Sequence, residues 1–220
     1  MNTFSERVHK EVKSMGSKRQ RGKQETRRKI FEAARAAFWE GGFERATMRD
    51  IAVQAGVGLG TVHLHFRDKS SLIHEVFYGE IERKTFEAVA GIPEGPLEEQ
   101  LVHLLNVEYG YYEEQHVALT HVVKESFFVS GDWGGKYEEQ LWRYAAAVEK
   151  VFEAARDRGE IRRGTDCGTA AMSYVSHYMI GLVMGVREEP FDRENVMKLV
   201  EPMVRMLVMG LRTQEVEHES

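Results

Sequence analysis

The stretch Thr47–Phe66, TMRDIAVQAGVGLGTVHLHF, decides the fold of the surrounding chain. Thr47 is followed three residues later by Asp50, a spacing at which two side chains cap the amino end of a helix. Gly56 stands where a helix commonly ends on a left-handed glycine. Between these limits, apolar residues at helical spacing give the predicted helix one buried face: Met48, Ile51, Ala52 and Ala55.

A second short helix is predicted directly after this glycine. Its apolar residues are Val57, Val62 and Phe66. Two helices joined by so tight a turn must cross steeply, which is the helix-turn-helix geometry. The outer side of the second helix carries Gly58, Gly60 and Thr61, which are small enough to let a partner come close.

This pattern resembles the TetR family of bacterial transcriptional repressors. The family begins its second helix with a threonine and continues with Ala-x-x-Ala-Gly-Val, Gly-Thr-hydrophobic-Tyr-x-Tyr/His-Phe and a short polar link with lysine. Thr47, Ile51–Val57, Gly60–Phe66 and Asp68–Lys69 carry the pattern here. The resemblance covers about residues 24–90 and implies a DNA-binding repressor that responds to a small effector.

Three positions depart from the family pattern. Gly58 replaces a serine or threonine, Leu59 replaces a residue that is often polar or basic, and His63 replaces a tyrosine. A histidine retains a phosphate hydrogen bond and gains a charge only when protonated. His63 and His65 can also be read as solvated helix residues. A metal site formed by this pair is disfavoured, because residues two apart on a helix do not face the same way.

The resemblance implies two sets of DNA contacts. The predicted phosphate contacts are Thr47, Arg49, Thr61, His63, Arg67 and Lys69. The predicted readers of base edges are Gly58, Leu59, Thr61 and Leu64, with Gly60 allowing close approach. Few of the base-reading side chains form hydrogen bonds, which favours contact with thymine methyl groups or recognition of DNA shape. The amino end of the helix that starts near Asp68 is a further predicted phosphate site.

Charge is distributed unevenly along the 220 residues. Residues 1–69 hold 15 Lys and Arg against 8 Asp and Glu, whereas residues 70–220 hold 15 against 27, so the net charges are +7 and −12. Only the first part is expected to meet a polyanion. A single cysteine, Cys167, and the lack of an apolar amino-terminal run predict a cytoplasmic protein without a signal peptide.

Changes in composition and helix-breaking residues divide the chain into three predicted segments. Residues 1–22 are polar and basic, and we expect an unstructured or frayed leader that could act as an arm along DNA. Residues 23–69 form the DNA-binding domain, whose first helix, 25–40, ends at Gly41–Gly42. Residues 70–220 form the effector-binding and dimerisation domain, in which 70–90 is the connecting helix.

The rest of the chain keeps a helical period after a break at Gly91–Pro96. The predicted helices are 96–113, 115–129, 136–158, 166–187 and 193–212. Gly131–Gly135 and Arg163–Gly164 are the predicted joints. The predicted fold is all-α: a three-helix helix-turn-helix domain joined by a long helix to a larger helical domain.

The last two helices suit a dimer interface. Cys167–Val186 holds no charged residue, and its serines, histidine, tyrosines and glycines argue against a membrane span. The family resemblance implies that these helices form a four-helix interface in a homodimer, which would read a palindromic operator. The predicted interface residues are Met172, Val175, Met179, Val183, Val196, Leu199, Val200, Met203 and Leu207. The alternative is that they only close the core of one subunit.

Aromatic residues in the middle of the second domain suggest an effector pocket. The predicted effector-binding residues are Tyr109, Tyr112, His121, Glu125, Phe128, Trp133, Trp142, Tyr174 and Tyr178. Such a cluster fits an apolar or aromatic ligand, although each aromatic could equally be plain core. His121 and Glu125 give the pocket a polar end or pair at the surface, and Glu108 could favour a cationic ligand. No cofactor or metal is predicted.

Other function classes find little support in the sequence. An enzyme is disfavoured because the chain has no HExxH, CxxC, GxSxG or glycine-rich phosphate loop. A helical protein that binds DNA with low specificity is disfavoured by the acidic second part. The residues do not separate a repressor from an activator of the same family.

Overall fold

A computed structural model describes residues 3–212, with side chains from residue 20 onward, and this part of the chain is almost entirely helical. The helices are α1 Thr3–Arg45, α2 Met48–Ala55, α3 Leu59–His65, α4 Lys69–Ala90, α5 Leu97–Glu114, α6 His116–Ser126, α7 Gly131–Asp157, α8 Cys167–Gly185 and α9 Arg193–Leu211. Among these residues the only extended pairing is an isolated antiparallel bridge between Ile161 and Arg212. The all-α prediction is confirmed.

The chain divides into two compact units between Val76 and Phe77. The first unit holds α1, α2, α3 and the beginning of α4. The second holds the remainder of α4 and the helices α5 to α9. Within the described residues, no helix is both long enough and apolar enough to cross a membrane.

The first unit is a small core closed by helices that cross. Its fully buried side chains include Ile30 and Phe38 of α1, Ile51 of α2 and Val62 of α3. Regular geometry in α1 is interrupted at Gly42, whose φ of 70° is open to glycine at little cost. This is the position at which the sequence predicted that the first helix would end.

The leader predicted over residues 1–22 differs from the structure. α1 begins at Thr3, far ahead of the predicted start at residue 25. The segment is rich in Lys, Arg, Glu and Gln, which have good helix propensity, and it contains no proline. Residues 1 and 2, and the side chains before residue 20, lie outside the described part, so contacts by the predicted basic arm remain a prediction.

The second unit packs its helices around tyrosines as well as aliphatic residues. The largest fully buried side chains here are Tyr109, Tyr174, Phe77 and Phe152, and several leucines of α5 are fully buried as well. The predicted joint at Gly131–Gly135 is wrong, because α7 begins at Gly131. A Cβ at Gly134 would lie 2.6 Å from the Val129 carbonyl oxygen, so glycine lets this first turn press against the preceding loop. Gly134 therefore serves close packing, whereas a Cβ at Gly135 would have open space.

Candidate DNA-binding helix and effector cavity

The amino end of α2 is built by the predicted cap. The Asp50 amide donates to Thr47 Oγ1 at 3.1 Å, and the Thr47 hydroxyl donates to Asp50 Oδ2 at 2.5 Å. This arrangement satisfies an amide that the helix itself leaves free. Thr47 is exposed, yet its hydroxyl already serves the helix, so any phosphate contact would share that group.

The turn between α2 and α3 has the geometry predicted for a glycine. Gly56 adopts φ 68° and ψ 34°, and its amide bonds back to α2. The Val57 amide then donates to the Ala52 carbonyl at 3.0 Å, which closes the end of α2. The first residue of α3, Leu59, follows three positions after Gly56, so the steep crossing is fixed by the backbone.

α3 buries one side chain and presents the others outward. Val62 is fully buried, whereas Leu64 is 76% exposed. The further predicted readers Gly58, Leu59, Gly60 and His63 are exposed, and Thr61 is half-buried. A Cβ built at Gly60 would meet no atom within 4 Å, so packing does not require glycine there. Most of the predicted base readers are therefore exposed, and their contact with base edges stays a prediction.

The carboxyl end of α3 is held by Arg27. Its guanidinium donates to the His65 carbonyl at 3.1 Å, lies 4.6 Å above the Phe66 ring and pairs with Glu75. Partial burial, with the positive charges of Lys23 and Arg27, lowers the pKa of His65. His65 is therefore less able than an ordinary histidine to become a charged phosphate contact.

Two groups that were predicted to contact phosphates form hydrogen bonds within the protein. The Lys69 ammonium donates to the carbonyls of Phe43 and Ala46 at 2.8 and 3.1 Å, and it lies 3.9 Å from the centre of the Phe43 ring. It therefore fixes the connection between α1 and α2. Asp68 Oδ1 accepts the Ser71 amide at 2.7 Å, so a carboxylate caps the helix end where we predicted a phosphate. That backbone hydrogen bond lowers the pKa of Asp68.

Two predicted arginines remain available at the surface. Arg49 is exposed at the start of α2. Arg67 follows α3 and is exposed over most of its side chain, with Asp68 Oδ2 at 3.6 Å. An exposed pair of this kind contributes little and is readily exchanged for a phosphate. Together with the small residues of α3, these cations suit the approach of a polyanion.

A cavity of about 340 Å³ lies inside the second unit. Helices α4 to α8 supply its wall, and Ile81, Tyr112, Val122, Tyr144, Tyr178 and Leu182 form its apolar and aromatic part. The rings of Tyr144 and Tyr178 meet edge to face with centres 5.6 Å apart. The volume and lining fit an apolar or aromatic molecule with few polar groups.

Two buried polar side chains lie in or next to this apolar lining. Gln140 lines the cavity at 8% exposure, and its Nε2 has no hydrogen-bond partner among the described residues. Glu108 is 4% exposed, and its Oε2 accepts the Tyr144 hydroxyl at 2.8 Å. Burial, which outweighs the hydrogen bond from Tyr144, raises the pKa of Glu108 to about 8. Such groups are costly to bury and mark a candidate binding site.

Glu108 lines a neighbouring cavity of about 310 Å³ and not the cavity that Gln140 lines. The two cavities share Ile81, Thr85 and Tyr112 as lining residues. The second cavity is more polar, since Lys84, Glu114 and Arg193 also contribute to it. An aromatic compartment thus adjoins a charged one.

Comparison with known proteins identifies the first unit. Residues 30–76 match the family described as "Bacterial regulatory proteins, tetR family". The HTH-type transcriptional regulator AcrR of Shigella flexneri is 34% identical over 97 residues, which cover 41% of this chain and 45% of AcrR. Residues 30–76 therefore carry the DNA-binding segment that the TetR family model describes. The match spans less than half of AcrR, so it concerns the DNA-binding part of the chain and does not identify an effector.

Solved structures of TetR-like regulators share the fold of nearly the whole chain. FadR from Bacillus subtilis, in complex with stearoyl-CoA, has a TM-score of 0.62 and 20% identity, covering 84% of this chain and 98% of its own. FadR from Thermus thermophilus, in complex with lauroyl-CoA, has a TM-score of 0.64 and 18% identity, covering 88% and 99%. At this identity the likeness concerns the fold. The family assignment agrees with the expectation that the chain is not an enzyme.

The predicted effector residues fall into three groups. Tyr112 and Tyr178 line the cavity of about 340 Å³. Tyr109 and Tyr174 are core residues whose hydroxyls donate to the carbonyls of Tyr178 and Leu101. The other five do not line this cavity. His121 and Glu125 pair at 3.1 Å, and Trp133 packs on Tyr78 and Tyr137. Phe128 and Trp142 are 90% and 56% exposed.

Several cavity residues were missed by the sequence reading. Ile81 and Thr85 of α4, with Tyr137, Gln140 and Tyr144 of α7, line the cavity, although none was predicted to bind the effector. A polar glutamine on the buried face of α7 was the one local signal available. The aromatic count could not separate Tyr144 from Trp142, because their directions depend on how α7 packs.

The predicted dimer residues are divided between the core and the surface. Val175, Val196 and Val200 are buried within the single chain, so only a small part of each side chain would be open to a second subunit. Met179 lines the cavity. Met172, Val183, Met203 and Leu207 are half-buried, and Leu199 is exposed. Exposed neighbours not predicted are Ile180, Met184, Met206 and Met209.

Proposed function

We propose that this protein is a sequence-specific transcriptional repressor that leaves its operator when a small apolar or aromatic effector binds the second unit. The observation that carries the proposal is the outer surface of α3. Its exposed Leu64 and the unfilled space at Gly60 give the fold no packing benefit. A surface of small and apolar residues flanked by Arg49 and Arg67 fits the major groove and its phosphates.

A homodimer is part of this proposal. The apolar side chains that α8 and α9 leave exposed are Ile180, Met184, Leu199, Met206 and Met209. Exposed methionine-rich surfaces of this kind favour association, because methionine fills uneven interfaces. Twofold symmetry then requires a palindromic operator whose half-sites lie about one helical turn apart or a multiple of it.

The effector is proposed to act through α4. Ile81 and Thr85 belong to this helix and line the cavity, whereas Lys69 at its start bonds the Phe43 carbonyl. A ligand that binds one arrangement of α4 more tightly shifts the population of DNA-binding conformations. The FadR complexes with stearoyl-CoA and lauroyl-CoA make a long acyl chain a second candidate for the apolar body.

Fluorescence anisotropy tests the regulator proposal. The protein is titrated into a labelled duplex from its own upstream DNA and into a scrambled duplex of equal length, at two salt concentrations. We expect tighter binding to its own DNA and a steep loss of affinity with salt, since phosphate contacts release counterions. Equal affinity for both duplexes, before and after refolding to remove a bound ligand, would favour a low-specificity DNA-binding protein.

A transcription assay with the same promoter separates repressor from activator. Repression in the absence of effector and release on its addition support the proposal. Increased transcription on binding would assign the chain to the activators of the family. Because the chromosome is the target, we propose that the protein works in the cytoplasm.

A further inference from the structure

The Glu108 carboxyl is a buried polar group of the second unit with few hydrogen-bond partners. It is nearly fully buried, its Oε1 has no hydrogen-bond partner among the described residues, and its Oε2 has only the Tyr144 hydroxyl. A buried carboxylate normally has a cation or several donors as partners. A residue of this kind in a cavity wall is a candidate ligand-binding group.

The cations of the adjoining cavity are committed to other carboxylates. Lys84 lies 3.6 Å from Glu87, and Arg193 lies 3.5 Å from Glu113. Neither contributes to the pKa of Glu108, which is set by burial and by Tyr144. The surrounding titratable groups are tyrosines of α5, α7 and α8: Tyr109, Tyr112, Tyr144, Tyr174 and Tyr178. Burial raises the pKa of each tyrosine, so all of them stay neutral.

The tyrosines that surround the carboxyl add a second attraction for a cation. Tyr112, Tyr144 and Tyr178 line the larger cavity, and their ring faces carry negative potential. An organic cation with an apolar body would gain both the carboxylate and these rings. An anionic head group would instead meet a buried acid and electron-rich rings.

We propose that Glu108 recognises a positively charged effector, an organic cation carried on an apolar or aromatic body. This inference rests on the proposed effector-responsive function and assigns its ligand class. Binding of the cation favours the ionised carboxyl, so the proton of Glu108 is released to solvent. Gln140 lines the adjoining aromatic cavity, and its Nε2 would donate a hydrogen bond to an acceptor elsewhere on the ligand.

Isothermal titration calorimetry with three probes of equal chain length tests the charge preference. The probes are decyltrimethylammonium, decyldimethylamine oxide and decanoate, each kept below its micelle concentration at pH 8. We expect the cation to bind about tenfold or more tightly than either of the other two, equivalent to one buried charge pairing. Absence of cation binding, or equal or tighter binding of decanoate, overturns the proposal.

Glu108→Gln is the decisive variant, because glutamine keeps the size and the acceptor for Tyr144. We expect it to lose about tenfold or more in affinity for the cation and to bind the amine oxide as the wild type does. Glu138→Gln is the matched control, since Glu138 lines the adjoining aromatic cavity from an exposed position. Loss of cation affinity in the control alone would assign recognition to the rim and overturn the role of Glu108.

Proton release gives an independent readout. With a pKa of about 8, Glu108 is mostly protonated at pH 7, so cation binding should release nearly one proton there and almost none at pH 9.5. Titrations in buffers of different ionisation enthalpy measure this number. Release of no proton at pH 7 contradicts the proposal.

The DNA assay separates this inference from the proposed function. If the wild type binds the operator and decanoate or the amine oxide releases it at a lower concentration than the cation does, the regulator stands and the cation preference fails. If the wild type binds no DNA, the proposed function fails irrespective of the calorimetry.

Discussion

The two candidate sites of this protein treat their polar and apolar groups in opposite ways. α3 turns an apolar leucine and bare glycine backbone outward, where they contribute nothing to the core. The two adjoining cavities of the second unit are lined by the buried side chains of Gln140 and Glu108, whose unpaired atoms cost stability. An open site can therefore have almost no effect on the free energy of folding, whereas a buried polar site lowers the stability of the fold.

Glycines sharpen this comparison because they can be tested by a single methyl group. At Gly60 of α3 a Cβ would meet no atom within 4 Å. At Gly181 of α8 it would lie 2.2 Å from Tyr109 Oη and 2.7 Å from Val200 Cγ2. The first glycine is dispensable for packing, and the second is required by it.

The largest expected effect is that of Gly181→Ala. The added methyl group overlaps two fully buried side chains and displaces the Tyr109 hydroxyl from the Tyr178 carbonyl, to which it donates at 2.8 Å. We expect the free energy of unfolding to fall by about 3 kcal/mol or more. Urea denaturation followed by circular dichroism measures it.

Gly135→Ala is the control for this change. Gly135 also lies in a helix of the second unit, and a Cβ there would have open space. We expect equal or slightly higher stability, because alanine favours the helix. Similar denaturation midpoints for the two variants would contradict the packing role of Gly181.

Glu108→Gln should change how stability depends on pH. Burial raises the pKa of Glu108 to about 8 in the folded protein. The contribution of the neutral carboxyl to the stability of the fold is therefore fully present at pH values below the pKa that Glu108 has in the unfolded chain. That stability is lost as the pH rises toward 8. Glutamine cannot ionise, so the variant should melt close to the wild type at acidic pH and above it at pH 8, by up to a few kcal/mol in unfolding free energy. Parallel melting curves at both pH values would contradict a buried acid at this position.

The first site could be predicted because its signals are local. The cap between Thr47 and Asp50 spans three residues, and Gly56 fixes a turn through its own φ. Each signal acts within one turn of chain, so the residue types define the geometry without knowledge of packing. The partners of Lys69 could not be predicted in this way, because Phe43 and Ala46 lie on another segment.

The cavity could be predicted only as a possibility. Its lining joins residues from α4 to α8, so the direction of each side chain depends on how those helices pack. Phe128 and Trp142 look as suitable in sequence as Tyr137 and Tyr144, yet they are exposed. Aromatic content reveals that a pocket is feasible, whereas only tertiary structure selects its residues.

The smallest expected change in stability, and the sharpest test of the open site, is Gly60→Ala. Because the methyl group meets no neighbour and alanine favours helix, we expect the unfolding free energy to rise by up to about 1 kcal/mol. Operator affinity, measured by anisotropy, should fall several-fold, because the methyl group occupies the space through which α3 approaches DNA. Gly79→Ala, the same change at an open position of α4, should leave operator affinity unchanged. A Gly60 variant that binds the operator as the wild type does would show that the glycine serves neither folding nor the approach to DNA. The surface of α3 that reads DNA would then have to lie at the more exposed carboxyl end of the helix, around Leu64.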